Sequence, residues 1–205
     1  MKARSVLGLM TLLILSISYS LFSSNTGFKL KMSLNANEAK FISLPYYNSY
    51  TDAESLRNRI MRAQGSGVSV YNYNGTQWQR WSGGGIGQIN FAIEPGIGYE
   101  VVSTSNVSNW LIVGSHNENL SFSFQGAVNK FISLPYHTTL KNAAELRNSI
   151  ISAGANWVNL YRWTGSKWQR WSGGGIGQVN FDLEPGIAVQ VVCYPDVTDW
   201  KPPHY

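Results

Sequence analysis

The sequence predicts an α+β fold that is rich in β-strand and built from two tandem homologous modules. Each module is predicted to be a small, mainly antiparallel or barrel-like sheet with one helix. The first observation is a repeat: "KFISLPY" stands at Lys40–Tyr46 and at Lys130–Tyr136. "WQRWSGGGIGQ" stands at Trp78–Gln88 and, at the same offset, at Trp168–Gln178. The second is that short runs alternate apolar and polar residues, as half-buried strands do, while one segment per copy has helical spacing.

The repeat defines the predicted domains. Module 1 covers residues 28–114 and module 2 covers residues 118–205, with "GSHNEN" between them. Each copy alone could bury a modest core, so the sequence allows a pair of small domains or one pseudo-symmetric body. Residues 1–24 are predicted to be a signal peptide, because two basic residues precede the apolar run Val6–Leu15 and small residues follow it. An uncleaved anchor is the alternative for this segment.

Each copy begins with two predicted strands and a helix. "LKMSL" and "LSFSF" alternate with period two, and "KFISL" supplies a second strand that ends at a proline. Asp52 and Asn142 stand where helix N-caps are expected. Apolar residues four apart follow each cap, and glycines are predicted to end the helices. The apolar residues are Leu56, Ile60, Leu146 and Ile150, and the glycines are Gly65, Gly67 and Gly154.

A hairpin is predicted next. Asn74-Gly75 lies between two alternating runs and favours a two-residue turn, which would pair Tyr73 with Thr76, Tyr71 with Trp78 and Val68 with Trp81. Thr164-Gly165 fits that turn less well and suggests a bulge in the second copy. The segment "SGGGIG" is then expected to turn the chain toward a strand at "INF" or "VNF". A Pro-Gly turn and a last strand, "IGYEVV" or "IAVQVV", complete each copy.

The candidate binding residues lie on one face of this hairpin. An aromatic strip with an adjacent arginine looks away from the aliphatic face, which is the natural core. Exposed Trp and Tyr suit stacking on sugar rings or anchoring a protein partner, and arginine often accompanies them at interfaces. The alternative is that the helix or the other module covers the strip, and a one-residue bulge would exchange the faces. The strip comprises Tyr71, Tyr73, Trp78 and Arg80 in the first copy and Tyr161, Trp163, Trp168 and Arg170 in the second.

Catalytic and metal chemistry finds little support in the sequence. The three histidines are not repeated between the copies. Glu94 and Glu184 are the acids present in both copies, and each is interpreted as a turn residue that bonds local backbone. The glycine run lacks the Lys-Ser/Thr of a phosphate loop and leads to a strand-like segment. We therefore expect no catalytic residue, no metal and no cofactor.

The charge pattern argues against nucleic acid. The net charge is +5, but lysine and arginine are scattered rather than gathered in a stripe. The single cysteine, Cys193, cannot form an internal disulfide, and its strand-like surroundings suggest a small buried residue. Three N-glycosylation sequons begin at Asn74, Asn106 and Asn119, and none is repeated in the other copy.

A family resemblance covers both copies. The order "FISLP", helix, hairpin with Trp, then "EPGIGYEV" resembles a β-rich tandem repeat of about 90 residues from secreted and cell-surface proteins of bacteria and archaea. The matching positions include Phe41–Pro45, Trp78 and Glu94–Tyr99. The second copy departs from it, with Ala188-Val189 where Gly98-Tyr99 stand. The resemblance implies export and attachment roles more than a defined activity.

Three functions follow as expectations. The favoured one is a non-catalytic, exported or cell-surface binding module with two equivalent sites for glycan or a surface protein, where repetition would provide avidity. The alternative is a structural or assembly subunit that self-associates through strand edges and aromatic patches. The third is a small exported hydrolase. Contact with a membrane is expected only through an uncleaved N-terminal segment.

Overall fold

The structure is a computed structural model that describes residues 27–115, 117 and 119–204, so the predicted signal peptide lies outside the described residues. The described chain is a β-rich α+β protein with two helices and several antiparallel sheets, as predicted. We call the described residues 27–115 the first copy and the described residues 119–204 the second copy.

The first copy contains seven strands and one helix. They are β1 (Phe28–Leu34), β2 (Lys40–Ser43), β3 (Tyr47–Asn48), α1 (Ala53–Arg62), β4 (Ser69–Tyr73), β5 (Trp78–Trp81), β6 (Gly98–Val102) and β7 (Val107–Ser115). The second copy contains β8 (Phe122–Phe124), β9 (Lys130–Ile132), α2 (Ala143–Ser152), β10 (Trp157–Trp163), β11 (Trp168–Trp171), β12 (Val189–Tyr194) and β13 (Val197–Trp200).

Two four-stranded antiparallel sheets dominate the molecule. Their strand orders are β2-β6-β4-β5 and β9-β12-β10-β11, which place elements at corresponding sequence positions in corresponding places. A three-stranded sheet, β1-β7-β3, and a two-stranded sheet, β8-β13, complete the fold. Each copy has its own hydrophobic cluster around its helix, and Tyr46 of the first copy belongs to the cluster of the second.

The helices begin where the sequence predicts. The carboxylate of Asp52 accepts from the Ser55 amide at 2.8 Å, and the Ser55 hydroxyl accepts from the Asp52 amide, which completes a capping box. The amide oxygen of Asn142 accepts from the Glu145 amide at 3.0 Å in the same way. The predicted apolar residues of both helices are buried. Local capping chemistry therefore sets the start of α1 and α2.

The predicted end of α1 is wrong in detail. The helix stops at Arg62, and the residue with positive φ is Gln64, at 74°, rather than a glycine. The amides of Gln64 and Gly65 donate to Met61 and Ile60, the bonding pattern of a Schellman motif. In the second copy Gly154 holds this position, with φ of 116°. The backbone of Gln64 therefore adopts a left-handed conformation that glycine would adopt with less steric strain.

The predicted hairpin register is wrong by two residues. Tyr73 pairs with Trp78, Tyr71 with Arg80 and Val70 with Trp81, around a four-residue loop. The Asn74 side chain stabilises that loop by accepting from the amides of Thr76 and Gln77. Since the shift is two residues rather than one, every side chain stays on the predicted face.

The predicted bulge in the second hairpin is absent. Its described strands, β10 and β11, pair in the same continuous register, with Trp163 opposite Trp168. The Thr164 hydroxyl accepts from the Lys167 amide at 3.3 Å and so takes the role of the Asn74 side chain. Two different loop residues therefore support the same loop length.

The predicted strand at "INF" and "VNF" is also wrong. Phe91 accepts from the Ala53 amide at 2.9 Å, and the Asn90 side chain accepts from the Glu54 amide at 2.9 Å. The same two bonds link residues 180–181 to the start of α2. The phenylalanine carbonyls and asparagine side chains of this segment bond the first turn of a helix rather than a neighbouring strand, and an isolated bridge forms at the next residue.

The two copies meet through reciprocal contacts. The Ser43 amide donates to the Gly186 carbonyl at 2.8 Å, and the equivalent Ser133 amide donates to the Gly96 carbonyl at 2.8 Å. The buried hydroxyls of Ser43 and Ser133 hydrogen-bond to each other, and that of Ser133 donates to the Leu44 carbonyl at 2.7 Å. Contacts in which i meets j and j meets i have the pattern of a twofold axis.

One substitution tests this reciprocal packing. A Cβ built on Gly98 would lie 2.5 Å from the Cβ of its counterpart Ala188, so only one of the two positions can carry a methyl group. We expect Gly98→Ala to lower the free energy of unfolding by about 1–3 kcal/mol through overpacking. The exchange Gly98→Ala with Ala188→Gly should restore most of the loss in urea denaturation. An exchange variant as unstable as Gly98→Ala alone would contradict the packing.

The helix ends provide a second test. Gln64→Gly should raise the free energy of unfolding by about 0.5–1 kcal/mol, because it relieves a positive φ at the cost of a more flexible unfolded chain. The matched control is Gly154→Ala, which should lower it, since open space around that position leaves only the backbone effect. Urea denaturation measures both changes. Equal signs for the two variants would contradict this assignment.

Candidate functional site

Aromatic side chains from both copies meet at the surface where the copies join. β5 and β11 each place their first residue there, and β4 and β10 each place their last. β2 and β9 contribute one phenylalanine each, from the strand face opposite Ile42 and Ile132. We call this cluster the aromatic platform, and its six residues are Phe41, Tyr73, Trp78, Phe131, Trp163 and Trp168.

Two stacked phenylalanines form the floor of the aromatic platform. The rings of Phe41 and Phe131 lie 5.0 Å apart at an interplanar angle of 15°, and both side chains are buried. Trp78 lies 5.3 Å from Phe131 and 6.2 Å from Phe41. Trp168 lies 5.0 Å from Phe41 and 6.4 Å from Phe131. Each tryptophan therefore contacts a phenylalanine from its own copy and one from the other copy.

The two tryptophans are partly open to solvent. Trp78 is 46% exposed and Trp168 is 43% exposed. Each is flanked at 5.3 Å by a half-buried ring, Tyr73 or Trp163. The Trp163 indole N–H donates to the Ala39 carbonyl at 3.0 Å, which fixes that ring against the first copy. The alternative that the whole strip is covered core is therefore wrong for Trp78 and Trp168.

The other four predicted residues form two pairs farther from the hairpin loops. The Arg80 guanidinium lies 5.8 Å from the Tyr71 ring centre, and Arg170 lies 6.0 Å from that of Tyr161. Both arginines also bond polar side chains on the neighbouring strand. The structure thus brings together four of the predicted residues, Tyr73, Trp78, Trp163 and Trp168. It places the other four, Tyr71, Arg80, Tyr161 and Arg170, two cross-strand pairs farther along, on the same face of each hairpin.

A cavity of about 270 Å³ opens beside the aromatic platform, with Phe41 and Trp163 in its wall. Four charged side chains line it. Arg162 donates to the Glu184 carboxylate at 2.6 Å. The sequence suggested that this acid bonds local backbone, whereas in the structure its carboxylate binds a side chain. The Lys40 ammonium donates to the Ser33 carbonyl at 2.9 Å, and the Glu38 carboxylate accepts from Asn35 at 2.7 Å.

The Lys40 ammonium is partly withdrawn from water. Burial lowers the pKa of Lys40, and the negative charges of Glu38 and Glu184 oppose that shift. Both carboxylates therefore act electrostatically on the same ammonium group. The charged groups of the cavity form one interacting set.

The glycine segment between β5 and β6 is a loop closed at its base. Four glycines have positive φ, and the Gln88 side chain accepts from the Ser82 amide at 2.7 Å and from its hydroxyl at 2.9 Å. The Arg57 guanidinium lies against Gly83, where a Cβ would come within 3.0 Å of it. The tip residue, Ile86, is fully exposed, as is Ile176 in the second copy. The sequence "SGGGIG" therefore shapes a projecting turn, as the exposed Ile86 shows, but it does not lead directly into a strand.

Other candidate chemistry is sparse within the described residues. Across residues 27–115, 117 and 119–204, no group of three or more His, Cys, Asp and Glu residues could hold a metal ion. His116 lies outside those residues. Cys193 is buried, as predicted. Within the same ranges, no helix has the length and apolar character needed to cross a membrane.

Sequence reasoning missed the floor and the cavity. The sequence places Phe41 and Phe131 in predicted strands, but the prediction did not state which face of the strand each side chain occupies. Since side chains alternate between the two faces of a strand, Phe41 lies on the face opposite Ile42 and Leu44. Arg162 and Glu38 gave no repeat signal, since Asn72 and Val128 replace them in the other copy. The cavity is formed by both copies, and the packing of two segments distant in sequence has no local signature.

Comparison of the chain with protein-family models, curated proteins and solved structures found no match of any of the three kinds. The aromatic platform itself is therefore the evidence for what this surface could bind. That surface combines flat apolar rings, a rigid floor and neighbouring polar groups.

Proposed function

We propose that this protein is a non-catalytic binding module that acts outside the cell and holds a glycan on the aromatic platform. One observation carries the proposal: Trp78 and Trp168 are each nearly half exposed while resting on the buried pair Phe41 and Phe131. Solvent-facing tryptophans on a fixed floor are suited to receive a flat ligand. The signal-like N-terminus and the resemblance to exported repeats support an extracellular setting.

The chemistry of the ligand follows from the rings. An indole offers a large apolar face with a polar edge, and the apolar C–H face of a sugar ring can stack on it. Contacts on both sides of each tryptophan restrict its motion before binding, so less rotamer entropy is lost when a ligand arrives. A glycan also presents hydroxyl groups that the neighbouring charged side chains can bond.

The geometry changes the expected number of sites. Two equivalent sites were expected from the repeat, whereas Trp78 and Trp168 share one floor made by both copies. We therefore propose one site with two equivalent halves. A single glycan chain that reaches both tryptophans would gain from each contact without the linker that separate modules would require.

Assembly into a larger structure is the second candidate function. It is favoured by Ile86 and Ile176, whose fully exposed side chains project from the two glycine loops. Exposed aliphatic groups on a rigid turn can anchor another copy of the chain. A small exported hydrolase, the third class named from the sequence, remains a prediction.

Alanine substitutions test the proposed glycan site. Trp78→Ala and Trp168→Ala should each weaken glycan binding about tenfold, corresponding to about 1.4 kcal/mol, because each removes one stacking face. Their far-UV circular dichroism should match the parent protein. Trp157→Ala is the matched control, since Trp157 is 39% exposed but stacks on Tyr194 outside the aromatic platform. It should leave affinity unchanged.

The measurement is a glycan array on residues 27–205 followed by titration of the best ligand. Size-exclusion chromatography over a range of concentrations runs in parallel. An empty array together with concentration-dependent assemblies that Ile86→Ser and Ile176→Ser dissolve would favour the second function. Equal loss of affinity in Trp157→Ala would also contradict the proposed site.

A further inference from the structure

We propose that the cavity beside the aromatic platform is a subsite for one uncharged, hydroxyl-rich sugar unit of the bound glycan. This inference rests on the proposed function and adds the class and position of one sugar. The cavity shares Phe41 and Trp163 with the aromatic platform. A glycan that stacks on the tryptophans can therefore extend one unit into the cavity without leaving the surface.

The charges in the cavity balance. Lys40 and Arg162 contribute two positive charges, and Glu38 and Glu184 contribute two negative charges. An anionic ligand would meet two carboxylates, and a cationic ligand would meet an ammonium and a guanidinium. Both would lose much of the attraction gained from the groups of opposite sign. The balance thus favours a ligand with no net charge.

The same groups supply donors and acceptors side by side. Lys40 has three N–H donors, of which one is directed to the Ser33 carbonyl. Arg162 has five, and within the described chain its Nε and one terminal nitrogen bond Gln169, Glu184 and the Asp182 carbonyl. Carboxylates have several lone pairs each. A hydroxyl group both donates and accepts, so it can bond an acid and a base at once.

The subsite belongs to only one side of the molecule. Asn72 stands where the second copy has Arg162, and Val128 stands where the first copy has Glu38. Val128 lies near Gly75 as Glu38 lies near Gly165, so the two corners correspond in space. The aromatic platform is nearly symmetric, whereas the polar cavity is not. A bound glycan would therefore have a defined direction.

Three monosaccharides of one ring type test the charge class. Glucose is neutral, glucuronate is anionic and glucosamine is cationic at neutral pH. We expect glucose at millimolar concentrations to shift the indole N–H resonance of Trp163 in ¹H–¹⁵N spectra of residues 27–205, and the two charged sugars to bind about tenfold more weakly. The Trp163 resonance is assigned from the spectrum of Trp163→Phe.

Two variants should change the order of preference. Glu38→Gln leaves one excess positive charge, so glucuronate should gain about tenfold relative to glucose. Arg162→Asn introduces the residue of the other copy, leaves one excess negative charge and should favour glucosamine to a similar degree. Glu94→Gln is the matched control, because Glu94 is the counterpart of Glu184 and does not line the cavity. It should preserve the preference of the parent protein.

The outcomes separate this inference from the proposed function. Glycan binding that depends on Trp78 and Trp168, with a Trp163 resonance that no monosaccharide moves, would overturn the subsite and leave the proposed function intact. A monosaccharide preference that follows the charge variants, with no effect of either tryptophan substitution on glycan binding, would support the subsite and overturn the platform. Tightest binding of glucuronate or glucosamine to the parent protein would overturn the neutral class.

Discussion

The joining of the two copies depends on one reciprocal set of backbone hydrogen bonds. Ser43 and Ser133 donate across the junction to the Pro-Gly turns of the opposite copies, and their hydroxyls meet at its centre. Strand residues next to these serines cannot move independently of the junction, because the backbone is fixed on both sides. Phe41 and Phe131 are therefore stacked, and packing against this stack positions Trp78 and Trp168.

Departures from the repeat follow from this junction. At the position shared by Gly98 and Ala188, the space holds one methyl group, so the two copies cannot both carry alanine there. Farther out, Arg162 and Glu38 have no charged counterparts, so the four charged groups meet at the corner that holds the cavity. The repeated segments provide the symmetric floor, and a few differences between the copies make the surface around that floor asymmetric.

Local chemistry was predictable from the sequence, and the junction was not. Asp52 and Asn142 cap their helices as predicted because a cap depends on residues three positions away. The hairpin loop was misjudged because Asn74 bonds two amides of a longer loop, yet the predicted faces survived the two-residue shift. Nothing local indicated that Phe41 would stack on Phe131, since that contact exists only between two distant copies of the same strand.

The identical "WQRW" segments acquire a different meaning from this arrangement. As separate sites, the two copies would be redundant, and either tryptophan could change without affecting the other. On a shared floor, each tryptophan contacts phenylalanines of both copies, so a change in Trp78 alters the surroundings of Phe131 as well as Phe41. One copy alone would lack half of that floor and would expose a phenylalanine. In the proposed function, duplication therefore produced one binding site rather than two.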